Sequence, residues 1–413
     1  MFLLFNNVEY IHFYNQKIHI YTSDKKKIVL NEVESYILRE LINKNFQIED
    51  TENAFVSKYE ISKEEAHQLI EKFVDKYSDC FWVNQNQQNK DLVIKGEWGR
   101  SYPNNVILYL TNRCYHKCKH CFKGIPQEYV DLDFQELTSF LDFIKGKTAK
   151  IQLTGGEPFL YPKIKEIIDR YSDAFRISIT SSGYDIPDNV IDTIKKVCLI
   201  QISVYSCNPQ MNDDFMQRPG AFNKIIDNIQ RLINNGNYVK ISNVITPENM
   251  DNIEQFINFC INLGVKEITF GKVVPIGNAE NNKSLILSRD EIIRVRHKLS
   301  TLKEKYSQHI KFDDWGENDW SEKIIEDNTT KFFSCDAGSL SWTVLECGDI
   351  QPCSLINCTE LSMGNLKAKS YQDLIFNNGI STVESLWNIK IPIKYRKQLH
   401  QICQSITYKG EYL

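Results

Sequence analysis

Three cysteines stand close together in TNRCYHKCKHCF, residues 111 to 122: Cys114, Cys118 and Cys121, spaced C-x3-C-x2-C and followed by the aromatic Phe122. Thiolates are soft ligands, and gaps of two and three residues can hold them on one compact metal group. An iron–sulfur cluster usually takes four cysteines. Three leave one iron open to a ligand from outside the chain, by the logic that separates catalytic from structural zinc sites. Taken alone, the triad also reads as a zinc site with His116 or His120 as fourth ligand, or as three unrelated thiols. A second group, Cys335, Cys347, Cys353 and Cys358 with Cys403 near the end, lies far along the chain. Cys80, Cys198, Cys207 and Cys260 are scattered and read as small buried hydrophobes.

The setting for this chemistry follows from composition. A chain of 413 residues exceeds one ordinary hydrophobic core and implies two or three domains. With 42% hydrophobic and 25% charged residues it reads as globular and soluble. A formal net charge of -4 offers no basic excess for nucleic acid or an anionic membrane, so neither is an expected partner. The opening MFLLFNNVEY is interrupted at Asn6, Asn7 and Glu9 and lacks a signal-peptide pattern, and no apolar run approaches the ~18 residues of a membrane span. The expected location is the cytoplasm, where the 12 cysteines stay reduced and clustered ones serve metal or redox chemistry.

The elements that must position the cysteines fall into three segments, 1–95, 96–285 and 286–413. In the first, EYIHFYNQKIHIYTS and KKIVL read as short strands, with a turn at Asn15-Gln16-Lys17. Helical patterns follow in NEVESYILRELINKN, with an apolar stripe of Val33, Tyr36, Ile37 and Leu41, and in SKEEAHQLIEKFVDKY, opened by a Ser62/Glu65 capping box. Strands followed by a small helical set point to a winged-helix module, and NQNQQNKD, residues 84 to 91, reads as a linker. From about residue 104 strands and helices alternate through six βα units, NVILYL, AKIQL, FRISIT, VCLIQISVY, YVKISNVIT and VKEITFGKVV supplying the strands. Such alternation gives a parallel sheet, and about 180 residues suit a partial (β/α)6 barrel rather than a complete eight-stranded one of about 250. The cysteine triad follows the first strand and TGGEP, residues 154 to 158, follows the second, which places both on one rim.

C-x3-C-x2-C before Phe122, with Gly155-Gly156-Glu157-Pro158 one strand later, resembles the radical S-adenosylmethionine (SAM) superfamily. The resemblance implies a [4Fe-4S] cluster on Cys114, Cys118 and Cys121, whose vacant iron takes the amine and carboxylate of SAM. SAM is then cleaved to methionine and a 5′-deoxyadenosyl radical that removes a substrate hydrogen. It places Gly155, Gly156, Glu157 and Pro158 near the SAM amino group, the glycines permitting close backbone approach to a ligand. Ser203 matches a residue that touches the ribose, Arg218 in RPGAF one that pairs with the SAM carboxylate, and Asn243 one that lines the cofactor site. The chain departs from common forms at Tyr115, where asparagine is frequent, and at SSG, residues 181 to 183, where TNG is usual.

In the third segment Cys335, Gly348 and Cys353 reproduce the start of the auxiliary-cluster domains called SPASM and twitch, and MGNL, residues 363 to 366, resembles the sequence common after that start. At least one auxiliary iron–sulfur cluster is implied, with Cys335, Cys353 and Cys403 as preferred ligands and Cys347 or Cys358 as a fourth. The first segment resembles the peptide-recognition element of enzymes that mature ribosomally made peptides (RiPPs), in which a leader peptide adds a strand to the module's sheet. The expected protein is therefore an oxidoreductase that crosslinks a precursor peptide, by a thioether first and a carbon–carbon bond second, fed by an electron donor such as flavodoxin or ferredoxin. A peptide epimerase, with Cys207 as a candidate hydrogen donor, is the alternative, and an iron–sulfur redox sensor that binds DNA is the competitor from another class.

Overall fold

The computed structural model describes residues 1–85, 92–280, 282–313, 315, 338–354, 362–367 and 371. By internal contacts the described residues form two compact units, one of Met1–Asn104 with Ile144–Ala149, the other of Asn105–Phe143 with Lys150–Tyr371.

In the first unit β1 (Phe2–Phe5), β2 (Val8–Tyr14), β3 (Lys17–Thr22) and β4 (Lys27–Val29) precede α1 (Glu32–Asn43), α2 (Ile48–Tyr59) and α3 (Lys63–Lys76). Two further strands, β5 (Phe81–Asn84) and β6 (Ile94–Gly96), follow. A four-stranded sheet runs β4-β3-β2-β6, and β5 pairs with β1. Strand alternation splits the larger sheet into two unlike faces. Ile11, Ile18, Ile20 and Leu30 are fully buried with Leu38 and Leu41 of α1, Phe55 of α2 and Ile70 and Phe73 of α3. Each such side chain contributes about 1.5–3 kcal/mol on leaving water. The opposite face carries Tyr10 stacked on Tyr21, and His12 directly across from His19. Burial holds the His12 imidazole down at about 3, with His19 adding to the shift.

The Ser62/Glu65 capping box is present at the start of α3, and the Asn15–Gln16 turn joins β2 to β3. Two details differ from the sequence-based expectation. The buried arc of α1 is Ser35, Ile37, Leu38 and Leu41, whereas Val33 is 64% exposed. Ser35 accounts for the rotation: its hydroxyl accepts from the Ile18 amide at 2.9 Å and donates to the Leu30 carbonyl, so this small residue must face the sheet. Val33 and Tyr36 instead line an open groove of about 430 Å3 with Phe55, Tyr59, Ile61 and Leu69. The helix α2 is additional; its inward face is Ile48, Thr51, Glu52 and Phe55, too polar for a clear apolar period. Residues 86–91 of the expected linker lie outside the described residues.

The second unit is built on β7 (Asn105–Tyr109), β8 (Lys150–Thr154), β9 (Arg176–Ser181), β10 (Leu199–Ser203), β11 (Val239–Ile245) and β12 (Glu267–Lys272). These six pair in chain order, all parallel. The connections carry α4 (Phe134–Ile144), α5 (Ile164–Tyr171), α6 (Pro209–Met216), α7 (Ala221–Asn234) and α8 (Ile253–Asn262), with α9 (Arg289–Tyr306) after β12. The link from β9 to β10 departs from the expected pattern, having 3-10 turns at Asp188–Val190 and Thr193–Lys196 and no α-helix. Its sequence, DIPDNVIDTIKKV, mixes turn formers with β-branched residues of weak helix propensity.

The sheet extends past the segment boundary expected near residue 285. At one edge β13 (Lys311–Phe312) joins β12; at the other β14 (Ser341–Val344) lies parallel to β7, followed by antiparallel β15 (Asp349–Gln351) and β16 (Gly364–Asn365). Gly348, at φ +87°, makes the tight turn between β14 and β15, and the Gly364-Asn365 pair of MGNL forms β16. Along the six parallel strands one face is apolar and buried, including Leu108, Leu153, Ile179, Ile202, Ile241 and Ile268. Gln152, Thr180, Gln201, Ser203, Ser242 and Thr269 alternate with them and are half-buried. A complete barrel fills its interior with branched apolar side chains. Here the six strands carry polar side chains along that face instead.

Candidate functional site

The cysteine loop leaves the end of β7 and is fastened from two sides. Lys117 and Lys119 donate their backbone N–H groups to the carbonyls of Met216 and Phe215 at the end of α6, at 3.3 and 3.0 Å. Across the loop, the Asn278 amide donates to the Cys121 carbonyl and its side chain to the Cys118 carbonyl, both at 2.9 Å. Gly277 must be glycine there, because a Cβ would collide with the Cys121 and Phe122 carbonyl oxygens. Arg113 pairs with Asp131 and donates to the Leu160 carbonyl, tying the loop to the turn after β8.

The three thiols lie near enough to act on one another electrostatically. Cys114 is accessible as a residue, yet its sulfur is closely surrounded; this crowding pushes its thiol up to about 12, with Glu157 and Cys121 adding to the effect. Cys118 is raised by burial first, then by Cys114 and Cys121. Three thiolates in a poorly hydrated pocket repel one another, and a cationic cluster reverses that balance. Among the described residues no three histidine, cysteine or acidic side chains are grouped tightly enough for a single metal ion. A four-iron cluster, which spreads its thiolates over separate irons, suits this donor set better than mononuclear zinc with every ligand at about 2.0–2.3 Å. The His120 ring packs against both Tyr205 and Phe215, and His116 packs edge-on against Tyr184; both ring nitrogens of His116 and Nδ1 of His120 are buried without a hydrogen-bond partner.

Gly155-Gly156-Glu157 runs against the start of this loop. Gly156 and Glu157 donate N–H groups to the carbonyls of Thr111 and Arg113, each at 2.7 Å. A Cβ on Gly155 would strike the Thr111 carbonyl, and one on Gly156 the Arg113 carbonyl. The close approach these glycines visibly serve is to the chain's own backbone. Glu157 is fully buried, and its carboxylate accepts from the Ser181 hydroxyl at 2.7 Å, the Ser182 amide at 2.9 Å, the Ser182 hydroxyl at 2.5 Å and the Phe159 amide at 3.3 Å. Burial raises its pKa despite those bonds. Pro158 opens the short 3-10 turn that comes next.

The two departures from the common motif are thus neighbours in space. Ser181 and Ser182 of SSG hold Glu157, and the Tyr115 hydroxyl donates to Asp185, two residues past the same tripeptide, at 2.9 Å. Tyr184, which lies between Gly183 and Asp185 in the chain, gathers two cations, which motif reading misses. Arg218 and Lys224 each donate to its hydroxyl at 3.3 Å and lie 5.1 and 4.6 Å from its ring centroid. Arg218 first, then Lys224, lowers its pKa.

Ser203 lies on the polar face of β10. Asn243 alternates with Ser242 and Val244 and shares the apolar side of β11 with Ile241 and Ile245, where its amide donates to the Val204 carbonyl at 2.9 Å. Cys207 is half-buried near Cys260 of α8. Of the late group, Cys347 sits exposed in the β14–β15 turn, 3.5 Å from the Asp349 carboxylate, and Cys353 is half-buried just past β15. Cys335, Cys358 and Cys403 lie outside the described residues. A half-buried ion pair joins the two regions: Lys123 donates to both carboxylate oxygens of Glu346, at 2.9 and 2.8 Å.

Residues 108–260 match the model of the Radical SAM superfamily. AlbA of Bacillus subtilis (strain 168), an antilisterial bacteriocin subtilosin biosynthesis protein, is 25% identical over 296 residues, which cover 70% of this chain and 62% of AlbA. The sporulation killing factor maturation protein SkfB of the same strain is 24% identical over 292 residues, 69% of this chain and 68% of SkfB. The chain thus spans somewhat less than two thirds of AlbA. Streptococcus suis SuiB bound to S-adenosylmethionine has the same fold, with a TM-score of 0.66 at 15% identity over 98% of this chain and 95% of SuiB. For SuiB bound to precursor peptide SuiA the TM-score is 0.63, again at 15% identity, over 98% of this chain and 94% of SuiB. The segment that matches the radical SAM model, residues 108–260, spans the cysteine loop and the strands around it, and N- and C-terminal segments flank this (β/α) core.

Proposed function

We propose that the protein is a radical SAM maturase that modifies a ribosomally made precursor peptide. The observation that carries this reading is the convergence of Cys114, Cys118 and Cys121 beside the Gly155–Glu157 turn, in a chain whose fold matches SuiB over 98% of its length. Cys114, Cys118 and Cys121 would hold a [4Fe-4S] cluster with one iron left open to SAM. Bound there, SAM and the cluster supply a 5′-deoxyadenosyl radical able to take a hydrogen atom from a peptide residue.

The chain's own residues bind and orient. Glu157, its carboxylate engaged by Ser181 and Ser182, fixes the turn whose backbone meets the SAM amino group. Arg218, kept extended by Tyr184, meets the SAM carboxylate with a fixed guanidinium fork. Ser203 meets the ribose from the polar face of β10. Asn243 acts through the Val204 loop it anchors.

The three-segment division, 1–95, 96–285 and 286–413, assigns leader capture, radical formation and an auxiliary cluster. In the first, a winged-helix-like module, the leader adds a strand to the sheet. In the third, Cys335, Cys353 and Cys403, with Cys347 or Cys358, ligate the auxiliary cluster. Closing a thioether, or second a carbon–carbon bond, removes two hydrogens from the peptide. One leaves as the abstracted atom, the other as a proton plus an electron; an auxiliary cluster on these cysteines would supply an acceptor for that electron or a binding site for a substrate thiolate. Flavodoxin or ferredoxin in the cytoplasm supplies the electron for SAM cleavage. Anaerobic incubation of the reconstituted protein with SAM and reductant tests the reading: 5′-deoxyadenosine should form, and its yield should change when precursor peptide is added. A protein that binds iron but never cleaves SAM would instead be an iron–sulfur sensor.

A further inference from the structure

Two cations meet on one neutral side chain beside the cysteine loop. The Tyr184 hydroxyl accepts from Arg218 Nη2 and from Lys224 Nζ, each at 3.3 Å, and both cations also lie over its ring. That ring packs 5.3 Å from the ring of Tyr115 and 5.2 Å from the ring of His116, the two residues that follow Cys114. Among the described residues neither cation forms an ion pair with a carboxylate. The neighbouring acids are turned to other donors: Asp213 accepts the Gly220 and Phe222 amides at 2.5 and 2.7 Å, and Asp185 accepts the Tyr115 hydroxyl at 2.9 Å.

The local structure makes this arrangement unfavourable by itself. Lys224 is the fourth residue of α7, a helix whose first turn carries no acidic residue and whose N-cap Gly220 gives no side-chain cap. A helix is positive at this end, so a lysine is better placed at the other. Two like charges gathered on one hydroxyl repel as well. A hydroxyl that accepts two hydrogen bonds keeps one O–H to donate. That O–H, the remaining N–H groups of Arg218 and those of Lys224 make a set of donors with no acceptor among them. An anion satisfies such a set, and the guanidinium fork suits the two oxygens of a carboxylate.

We propose that Arg218, Lys224 and the Tyr184 hydroxyl form one carboxylate-binding site beside the cysteine loop, with Lys224 as its second cation. The inference deepens the role proposed for Arg218 and rests in part on that reading. The carboxylate belongs to SAM or to an acidic side chain of the peptide, which present the same two oxygens. In either case Lys224 and Tyr184 act on the bound carboxylate itself, a part that neither the cysteine spacing nor GGEP signals.

The test compares the full chain, reconstituted anaerobically, with its Lys224→Met, Lys224→Arg and Tyr184→Phe variants at equal iron content. Equilibrium dialysis measures the binding of SAM and of decarboxylated SAM, the same molecule without its carboxylate. A carboxylate from SAM predicts that Lys224→Met weakens SAM about fivefold, the scale of one exposed charge pair, and leaves decarboxylated SAM unchanged. Lys224→Arg should restore most of the loss, and Tyr184→Phe, which keeps the ring, should weaken SAM by less. A carboxylate from the peptide predicts unchanged SAM binding in the variants. Saturation-transfer NMR on the SAM-loaded protein should then show the tripeptide acetyl-Ala-Glu-Ala-amide binding the parent in preference to its Gln counterpart, a preference lost in Lys224→Met. Equal weakening of SAM and decarboxylated SAM, or no change in both arms, overturns the inference. A protein that binds neither form of SAM removes the radical SAM reading instead, and the tripeptide pair alone then decides the site.

Discussion

The loop that carries Cys114, Cys118 and Cys121 and the turn that carries Cys347 come after neighbouring parallel strands, β7 and β14, and so emerge on one rim of the sheet. They secure their thiols in different ways. The first loop is locked by the carbonyls of Phe215 and Met216, by both amides of Asn278 and by glycines at 155, 156 and 277 that no larger residue can replace. The second is a short hairpin turn shaped by Gly348, with Cys347 exposed and Cys353 half-buried beyond it. A site whose ligands lie within eight residues, 114 to 121, is arranged by its own loop. The site proposed for the late cysteines would draw ligands from 335 to 403 and would need the fold to assemble it. The first should therefore behave as an all-or-none unit, the second as one whose losses are partial.

Replacing Cys114, Cys118 and Cys121 together with alanine should have the largest effect: SAM cleavage falls to background while the late group still binds iron. Chromatographic assay of 5′-deoxyadenosine, with iron analysis alongside, checks both halves. Cys353→Ala should lower iron content and stop peptide product, yet leave SAM cleavage uncoupled from product measurable. Unchanged iron would show that Cys353 is no ligand.

Deleting residues 1–83 should weaken precursor binding and reduce peptide turnover on the order of a hundredfold, with much less effect on uncoupled SAM cleavage. A captured leader places the core peptide at an effective concentration in the mM range, and high core-peptide concentration should partly replace it. Equal precursor affinity with and without the segment would move recognition elsewhere in the chain.

Much of this division is written in short spacings. C-x3-C-x2-C and GGEP are legible because a few covalent bonds bring their residues to one rim, and the strands β7 to β12 because apolar and polar residues alternate along them. What escaped depends on residues far apart in sequence. The turned face of α1 comes from Ser35 meeting Ile18 and Leu30, and the polar inner face of α2 conceals its period. Lys224 reads as any lysine on a helix until it and Arg218 are seen to meet on the Tyr184 hydroxyl. The serines of SSG read as a motif defect until Glu157 is found between them.

The smallest expected effect lies away from both cysteine regions. With the folded-state pKa of His12 lowered to about 3, the unfolded chain binds the extra proton below about 6.5. The stability this group contributes is complete above about pH 6.5 and is lost progressively as pH falls toward 3. His12→Phe should therefore flatten the acid-side decline of the melting temperature, measured by circular dichroism between pH 7 and about pH 4.5. The same slope in the variant would place the acid sensitivity at other groups.

The central claim is the proposal that a radical formed on the rim of the parallel sheet acts on a peptide. The most direct measurement is high-resolution mass spectrometry of a small peptide encoded beside the protein's own gene, co-expressed with the protein and, separately, with the triple alanine variant. The account predicts a peptide lighter by two hydrogens for each crosslink, with the loss confined by fragmentation to one pair of residues, and an unmodified peptide with the variant. An unchanged mass with inverted stereochemistry at one residue would make the protein an epimerase. An unmodified peptide with the active protein would contradict the assignment of this peptide as substrate and, were SAM cleavage indifferent to it as well, peptide maturation itself.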